Sequence, residues 1–236
     1  MEKLTYFSDL GLQAYQKVWD RQESIFNELI DLKKQNFNLP QCEQIQGDQH
    51  LIFCQHPHVY TLGKSGDAQN LLINQIELQA NDAQFIETNR GGDITYHGPG
   101  QLVGYPIFDL EALNMSVKEY IYHLEEAIIG VIAEYGIKGG RLEGAIGVWL
   151  DADAHRPQRK ICAIGVKVSR HVSMHGFAMN INTNLDYFNY INPCGFVDKS
   201  VTSLQKELGH EMDFEEVKAK VKTHLKRVFN LAYSEL

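Results

Sequence analysis

At 236 residues the chain is long enough to bury a substantial core without a disulfide or metal staple. Its 44% hydrophobic and 22% charged residues are ordinary for a globular protein. The formal charge of −8 argues against non-specific nucleic-acid binding, which needs lysine and arginine to neutralise phosphates.

The N-terminal stretch MEKLTYFSDL has no apolar signal-peptide core. The apolar run around Ala127 to Ala133 falls far short of the ~20 residues that span a membrane. Cys42, Cys54, Cys162 and Cys194 are widely spaced and form no C-x-x-C pair. A cytoplasmic protein with free thiols and no membrane partner is expected.

A helix is predicted from Gln13 to Gln35, where Tyr15, Val18, Trp19, Gln22, Phe26, Leu29 and Leu32 trace one face. Short strands follow at Leu51 to Cys54, Gln84 to Thr88, Asp93 to Tyr96 and Leu102 to Phe108, punctuated by glycine and proline. Ser116 and Glu119 form a capping-box signature for a second helix. Its stripe is Tyr120, Ile121, Leu124, Ile128, Val131, Ile132 and Tyr135, and Gly136 supplies the stop. Strands are expected again at Ala145 to Leu150, Lys160 to Ser169 and His175 to Asn182. A third helix runs from Phe214 to Phe229, with Asp213 and Glu216 at its start. Runs of strands followed by helices, without linkers or repeats, predict one α+β domain over residues 1–236, its sheets antiparallel or mixed and packed with helices.

Four segments could carry chemistry. Arg90-Gly91-Gly92-Asp93-Ile94-Thr95-Tyr96-His97-Gly98-Pro99-Gly100-Gln101 fits either a tight hairpin or a backbone brought close to a ligand. It matches neither a dinucleotide fingerprint nor a P-loop. In Arg159 to Val168, simple alternation places Lys160, Cys162 and Ile164 on one strand face. Ala163 and Gly165 then lie opposite, leaving room for a ligand or a second backbone. His175-Gly176-Phe177-Ala178-Met179-Asn180 forms another alternating strand. In Asn192-Pro193-Cys194-Gly195 the cysteine is bracketed by turn residues, a setting less usual for a buried structural thiol. His56 and His58, or His171 and His175, match no H-E-x-x-H or Cys/His zinc spacing, so neither metal nor cofactor is expected.

Together, R-G-G-D-I-T-Y-H-G-P-G-Q, R-K-I-C-A-I-G-V, H-G-F-A-M-N and N-P-C-G resemble, in this order, the octanoyltransferases of lipoate biosynthesis (the lipoyl/octanoyl transferase B family). His56 to Gly63 and Val201 to Leu204 are similar to that family too. The resemblance spans nearly the whole chain and implies a fold like the biotin/lipoate protein ligase catalytic domain. It implies transfer of an octanoyl group from octanoyl-acyl carrier protein to a lysine of lipoyl domains, in 2-oxoacid dehydrogenase E2 subunits and the glycine cleavage H protein. By the same resemblance, Cys194 would carry the acyl thioester and Lys160 would be its partner. Arg90, Gly91, Gly92, Asp93, Ile94, Thr95, Tyr96, His97, Ala163, Ile164, Gly165, Gly176, Phe177 and Ala178 would bind substrate.

The chemistry is coherent with those residue types. A thioester donor needs no ATP, a nearby ammonium favours the thiolate, and a lysine can then relay the proton of the attacking amine. Backbone N–H groups of the glycine-rich segments are expected to hold the oxyanion. Small residues near Gly165 and Gly176 are expected to open an acyl tunnel, and basic residues from Arg156 to Arg170 to dock the acidic carrier. The residues alone leave rivals open: Cys162 as nucleophile, a Cys-His hydrolase using His97 or His175, an ATP-dependent ligase, and a binding module that is never acylated.

Overall fold

The computed structural model describes residues 2–192 and 199–235. In chain order the elements are β1 (Lys3–Leu12), α1 (Tyr15–Asn36), β2 (Gln49–Gln55), β3 (Val59–Leu62), α2 (Gln75–Ala80), β4 (Gln84–Glu87), β5 (Thr95–His97), β6 (Gln101–Ile107), α3 (Val117–Glu134), β7 (Gly139–Leu142), β8 (Ala145–Leu150), β9 (Arg159–Ser169), β10 (Val172–Asn180), β11 (Ser200–Val201), α4 (Leu204–Leu208), α5 (Phe214–Phe229) and β12 (Leu231–Glu235). This is the expected α+β class with mixed sheets.

The large sheet runs β12-β1-β2-β6-β10-β9-β8-β7, with β11 added beside β9. β1 is parallel to both its neighbours, and the strands from β2 through β7 pair antiparallel. A small sheet, β4-β3-β5, stands apart.

The helices form where their sequences satisfy their ends. Ser116 accepts from the Glu119 N–H while the Glu119 carboxylate accepts from the Ser116 N–H, completing the predicted box. Asp213 accepts from the N–H groups of Glu215 and Glu216 to start α5. α3 and α5 bury Leu124, Ile128, Val131, Val217, Val221 and Leu225 against one face of the large sheet. α1 covers the opposite face with Val18, Phe26, Leu29 and Ile30. Tyr60, Leu78, Ile94 and Tyr96 form the separate core of the small sheet. Among the described residues no helix is long and apolar enough to cross a membrane.

Candidate active site

Lys160 owes its direction to a break in the pairing of β8 and β9. Val148 lies opposite Cys162, but the next residue, Trp149, lies opposite Lys160, so Ile161 is an extra residue on β9. Val148 and Trp149 project to opposite faces, and their partners do the same. Ile161 and Cys162 both enter the α3/α5 core, whereas Lys160 joins Trp149 on the other face. The alternation expected from sequence, with Lys160 and Cys162 side by side, is therefore corrected: the bulge separates them. Ile164 packs towards the α3/α5 core, as Cys162 does.

Ala163 and Gly165 share the face of Lys160. Gly165 gives room to a protein backbone: a Cβ there would lie 3.0 Å from the Gly91 carbonyl and 3.3 Å from Arg90 Cδ. The Gly91 N–H donates to Val166 O at 2.9 Å, so it is committed to holding this approach. A Cβ on Gly176 would meet the Gly104 carbonyl. The space expected for an acyl tunnel at Gly165 and Gly176 is thus filled by neighbouring main chain. Ala178 pairs with Ala163 and faces the α1 side, while Phe177 lies in the α3/α5 core against Phe53.

The Arg90 to His97 segment is braced from within. Arg90 is buried; its Nη2 donates to Thr61 O at 2.5 Å and Thr61 Oγ1 at 3.0 Å, and its Nη1 to Gly91 O at 3.0 Å. The carbonyls of Arg90, Gly92 and Asp93 accept from Lys64, Ser65 and Gly63. Gly92 sits at φ +84°, a conformation glycine adopts without strain. Asp93 accepts from its neighbour's Ile94 N–H and from Asn70 Nδ2. Ile94 and Tyr96 are buried in the small-sheet core, and half-buried Thr95 pairs with Thr61.

The buried histidines form fixed links. Gln101 donates through Nε2 to Tyr96 O and Asn180 Oδ1, so its Oε1 accepts from His97 Nδ1 at 2.8 Å. His97 Nε2 then faces Thr61 Oγ1 at 3.4 Å. His56 Nδ1 donates to Gln13 O, and its Nε2 lies 2.7 Å from Tyr105 Oη. His175, at φ 61°, lies 2.7 Å from Asn89 Oδ1 through Nε2. Burial holds all three neutral, pulling His97 to about 3, His56 to about 4 and His175 to about 3. At neutral pH these rings brace the site without adding charge.

Cys194 falls within residues 193–198, outside the described residues, and the chain is described up to Asn192 and again from Lys199. Before it, the Asn192 N–H donates to Asn70 O at 2.8 Å, beside Asp93. After it, Val201 pairs with Lys160, and the Thr202 N–H donates to Lys160 O at 2.9 Å. An ion cluster pins this return. Arg159 grips Glu207 through Nε at 2.7 Å and Nη2 at 2.9 Å, and Thr202 Oγ1 donates to the same carboxylate. Burial opposes ionisation of Glu207, but the bonds from Arg159 and Thr202 outweigh it and hold its carboxyl below the usual range. The cluster's contribution is therefore present at neutral pH and lost as acid protonates Glu207.

Arg156 also spends its guanidinium on Glu207 and Asp153. Of the basic residues from Arg156 to Arg170 expected to dock a carrier, these two arginines thus already have acidic partners. Among the described cysteines, Cys162 is 0% exposed and Cys54 buried, and burial pushes both thiols well above their ordinary range.

Sequence reasoning passed over Trp149, Gly147 and Glu125. The Gly147 N–H donates to Glu125 Oε1 at 3.0 Å, and Arg141 Nε holds the other carboxylate oxygen at 2.9 Å. A glycine inside the apolar strand Ala145 to Leu150 was the available signal, since it marks a bulge or a close approach.

A mixed sheet covered by α1 on one face and by α3 with α5 on the other is also the fold of solved lipoate protein ligases. Similar structures include a bipartite lipoate protein ligase from Thermoplasma acidophilum, at TM-score 0.70 and 15% identity over 100% of this chain and 87% of that one. Lipoate-protein ligase A bound with ATP is similar at TM-score 0.67 and 15% identity, over 100% of this chain and 89% of that one. The chain belongs to the lipoyl protein ligase A/B catalytic domain family, whose model matches residues 14–226. Relatives named octanoyltransferase include one from Cytophaga hutchinsonii, 50% identical over 97% of this chain and 94% of its own. Another, from Bacteroides thetaiotaomicron, is 50% identical over 96% of each chain.

Proposed function

We propose that this chain is a cytoplasmic octanoyltransferase that moves an octanoyl group from acyl carrier protein through Cys194 to a lysine of lipoyl domains, in E2 subunits and the H protein. The observation that carries this reading is the 50% identity, along nearly the full length, to relatives that bear the octanoyltransferase name. The joining of the chain after Cys194 to Lys160 through Val201 supports the pairing of thiol and ammonium.

In the first step the Cys194 thiolate attacks the octanoyl thioester carbon. A new C–S bond forms, the bond to the carrier sulfur breaks, and the Lys160 ammonium gives its proton to the departing carrier thiolate. In the second step the lysine amine of the lipoyl domain loses a proton and attacks the Cys194 thioester. An amide forms and the Cys194 thiolate departs. Lys160 is thus an ammonium beside the Cys194 thiolate before the first step and a neutral amine after it, able to take the proton that the attacking amine releases in the second.

Arg90 to His97, Ala163 to Gly165 and Gly176 to Ala178 shape the substrate cleft in this reading. Ala163, Ala178 and the Arg90–Gly91 turn are its best-supported members, because they gather on the face that carries Lys160. Since both acyl bonds exchanged are already activated, transfer from octanoyl-acyl carrier protein to a lipoyl domain is expected to proceed at full rate without ATP or magnesium. A requirement for ATP, with free octanoate as the accepted donor, would instead make this a ligase.

A further inference from the structure

We infer that Trp149 is the positioning residue of Lys160, its indole face holding the lysine ammonium in place for the acyl exchange. This inference rests on the role proposed above for Lys160.

Three observations support it. First, the β8/β9 register sets Trp149 directly across from Lys160, on the face to which the bulge at Ile161 turns the lysine. Side chains directly opposite in an antiparallel pair are near neighbours. Second, Lys160 Nζ lies 4.7 Å from the centroid of the Trp149 ring, within the range of a cation–π contact. Third, the indole is itself fixed: it is 5% exposed, and its Nε1 donates to Ala145 O at 2.8 Å.

The lysine stem is guided as well. Gly147 stands at φ +122°, and a Cβ there would lie 3.4 Å from Lys160 Cε and 2.5 Å from Cys162 O. The Glu125 carboxylate holds the Gly147 N–H, so the passage for the stem is anchored to α3. A long, flexible ammonium side chain is thus confined by a glycine along its stem and a ring at its head. The same ring favours the charged amine over the neutral one, because the negative face of the indole attracts a cation.

The test replaces Trp149 alone with mono-, di- and trifluorinated tryptophan, which keeps the shape while draining the ring's negative face. Single-turnover acylation by octanoyl-acyl carrier protein is followed against pH, in the wild-type and Lys160→Met backgrounds. The rate is expected to fall stepwise with fluorination, by about tenfold across the series. The alkaline limb of the pH profile should shift to lower pH, and KM for the carrier should stay constant. In the Lys160→Met protein the fluorine series should be flat. Flat rates and pH profiles in the wild-type background, with Lys160→Met still severely impaired, would overturn the role of Trp149 and leave that of Lys160 standing. A Lys160→Met protein as active as wild type would overturn both. Fluorination is isosteric, so loss of folding does not obscure these outcomes; Trp149→Leu, which removes the ring, is expected to be slower than any fluorinated form.

Discussion

Replacing Lys160 with methionine is expected to slow octanoyl transfer by about 10²–10⁴-fold, the range for losing a positioned proton-transfer group. Methionine keeps an unbranched stem that can lie along Gly147 and against Trp149, while the ammonium is lost. Two effects combine. Without a neighbouring cation the reactive thiol reverts towards an ordinary pKa of about 8.5, so only a few per cent is ionised at neutral pH. The attacking lysine of the lipoyl domain also loses its proton acceptor. Acylation in the variant should therefore rise about tenfold per pH unit from about pH 6 to about pH 8, as thiolate forms. The wild-type enzyme should show a flatter profile over that interval. Steady-state kinetics across pH, with the melting temperature as a check on folding, measures this. An unchanged rate and profile would remove Lys160 from the mechanism.

Replacing Cys194 with alanine is expected to reduce transfer by more than about 10³-fold, because no covalent acyl-enzyme can then form. The two buried thiols cannot take over on physical grounds. Cys162 and Cys54 are sealed in the protein, and burial disfavours their thiolates. Cys162 is also turned towards the α3/α5 core, away from the face of Lys160. Cys162→Ala should therefore keep transfer within about threefold of wild type, its main effect being the lost packing of a small buried side chain. Stopped-flow measurement of carrier-thiol release distinguishes the two: a burst in Cys162→Ala, none in Cys194→Ala. A burst of equal size in Cys194→Ala would place the thioester on another residue or remove it from the pathway.

The sequence made the three long helices legible because each carries a strong local signature. Ser116 with Glu119, and Asp213 before α5, mark starts that the folded backbone uses. β1 was not legible: in Lys3–Leu12 the buried positions do not alternate regularly, since the strand lies between two parallel neighbours and its pairing with β2 shifts near Gly11. β3 was hidden for a related reason: all four of its residues are buried, so no period of two shows.

Within the site, residue identities were more legible than directions. Lys160 and the glycine-rich segments were evident from their motifs. That Lys160 and Cys162 diverge depends on one extra residue in β9, and strict alternation cannot register an insertion of one. Gly165 illustrates the same limit. Its small size marks a close approach, but only the tertiary structure says that the approaching group is the Arg90–Gly91 turn. Trp149 looked like an ordinary strand apolar residue until the register set it across from Lys160.

The most direct measurement is intact-protein and peptide mass spectrometry after incubation with octanoyl-acyl carrier protein alone, followed by addition of a lipoyl domain. The expected result is a single octanoyl adduct on the Cys194 peptide that disappears as the lipoyl-domain lysine gains the same mass. An adduct on Cys162, or transfer to the lipoyl domain with no enzyme adduct at any time, would contradict the thioester pathway proposed for this chain.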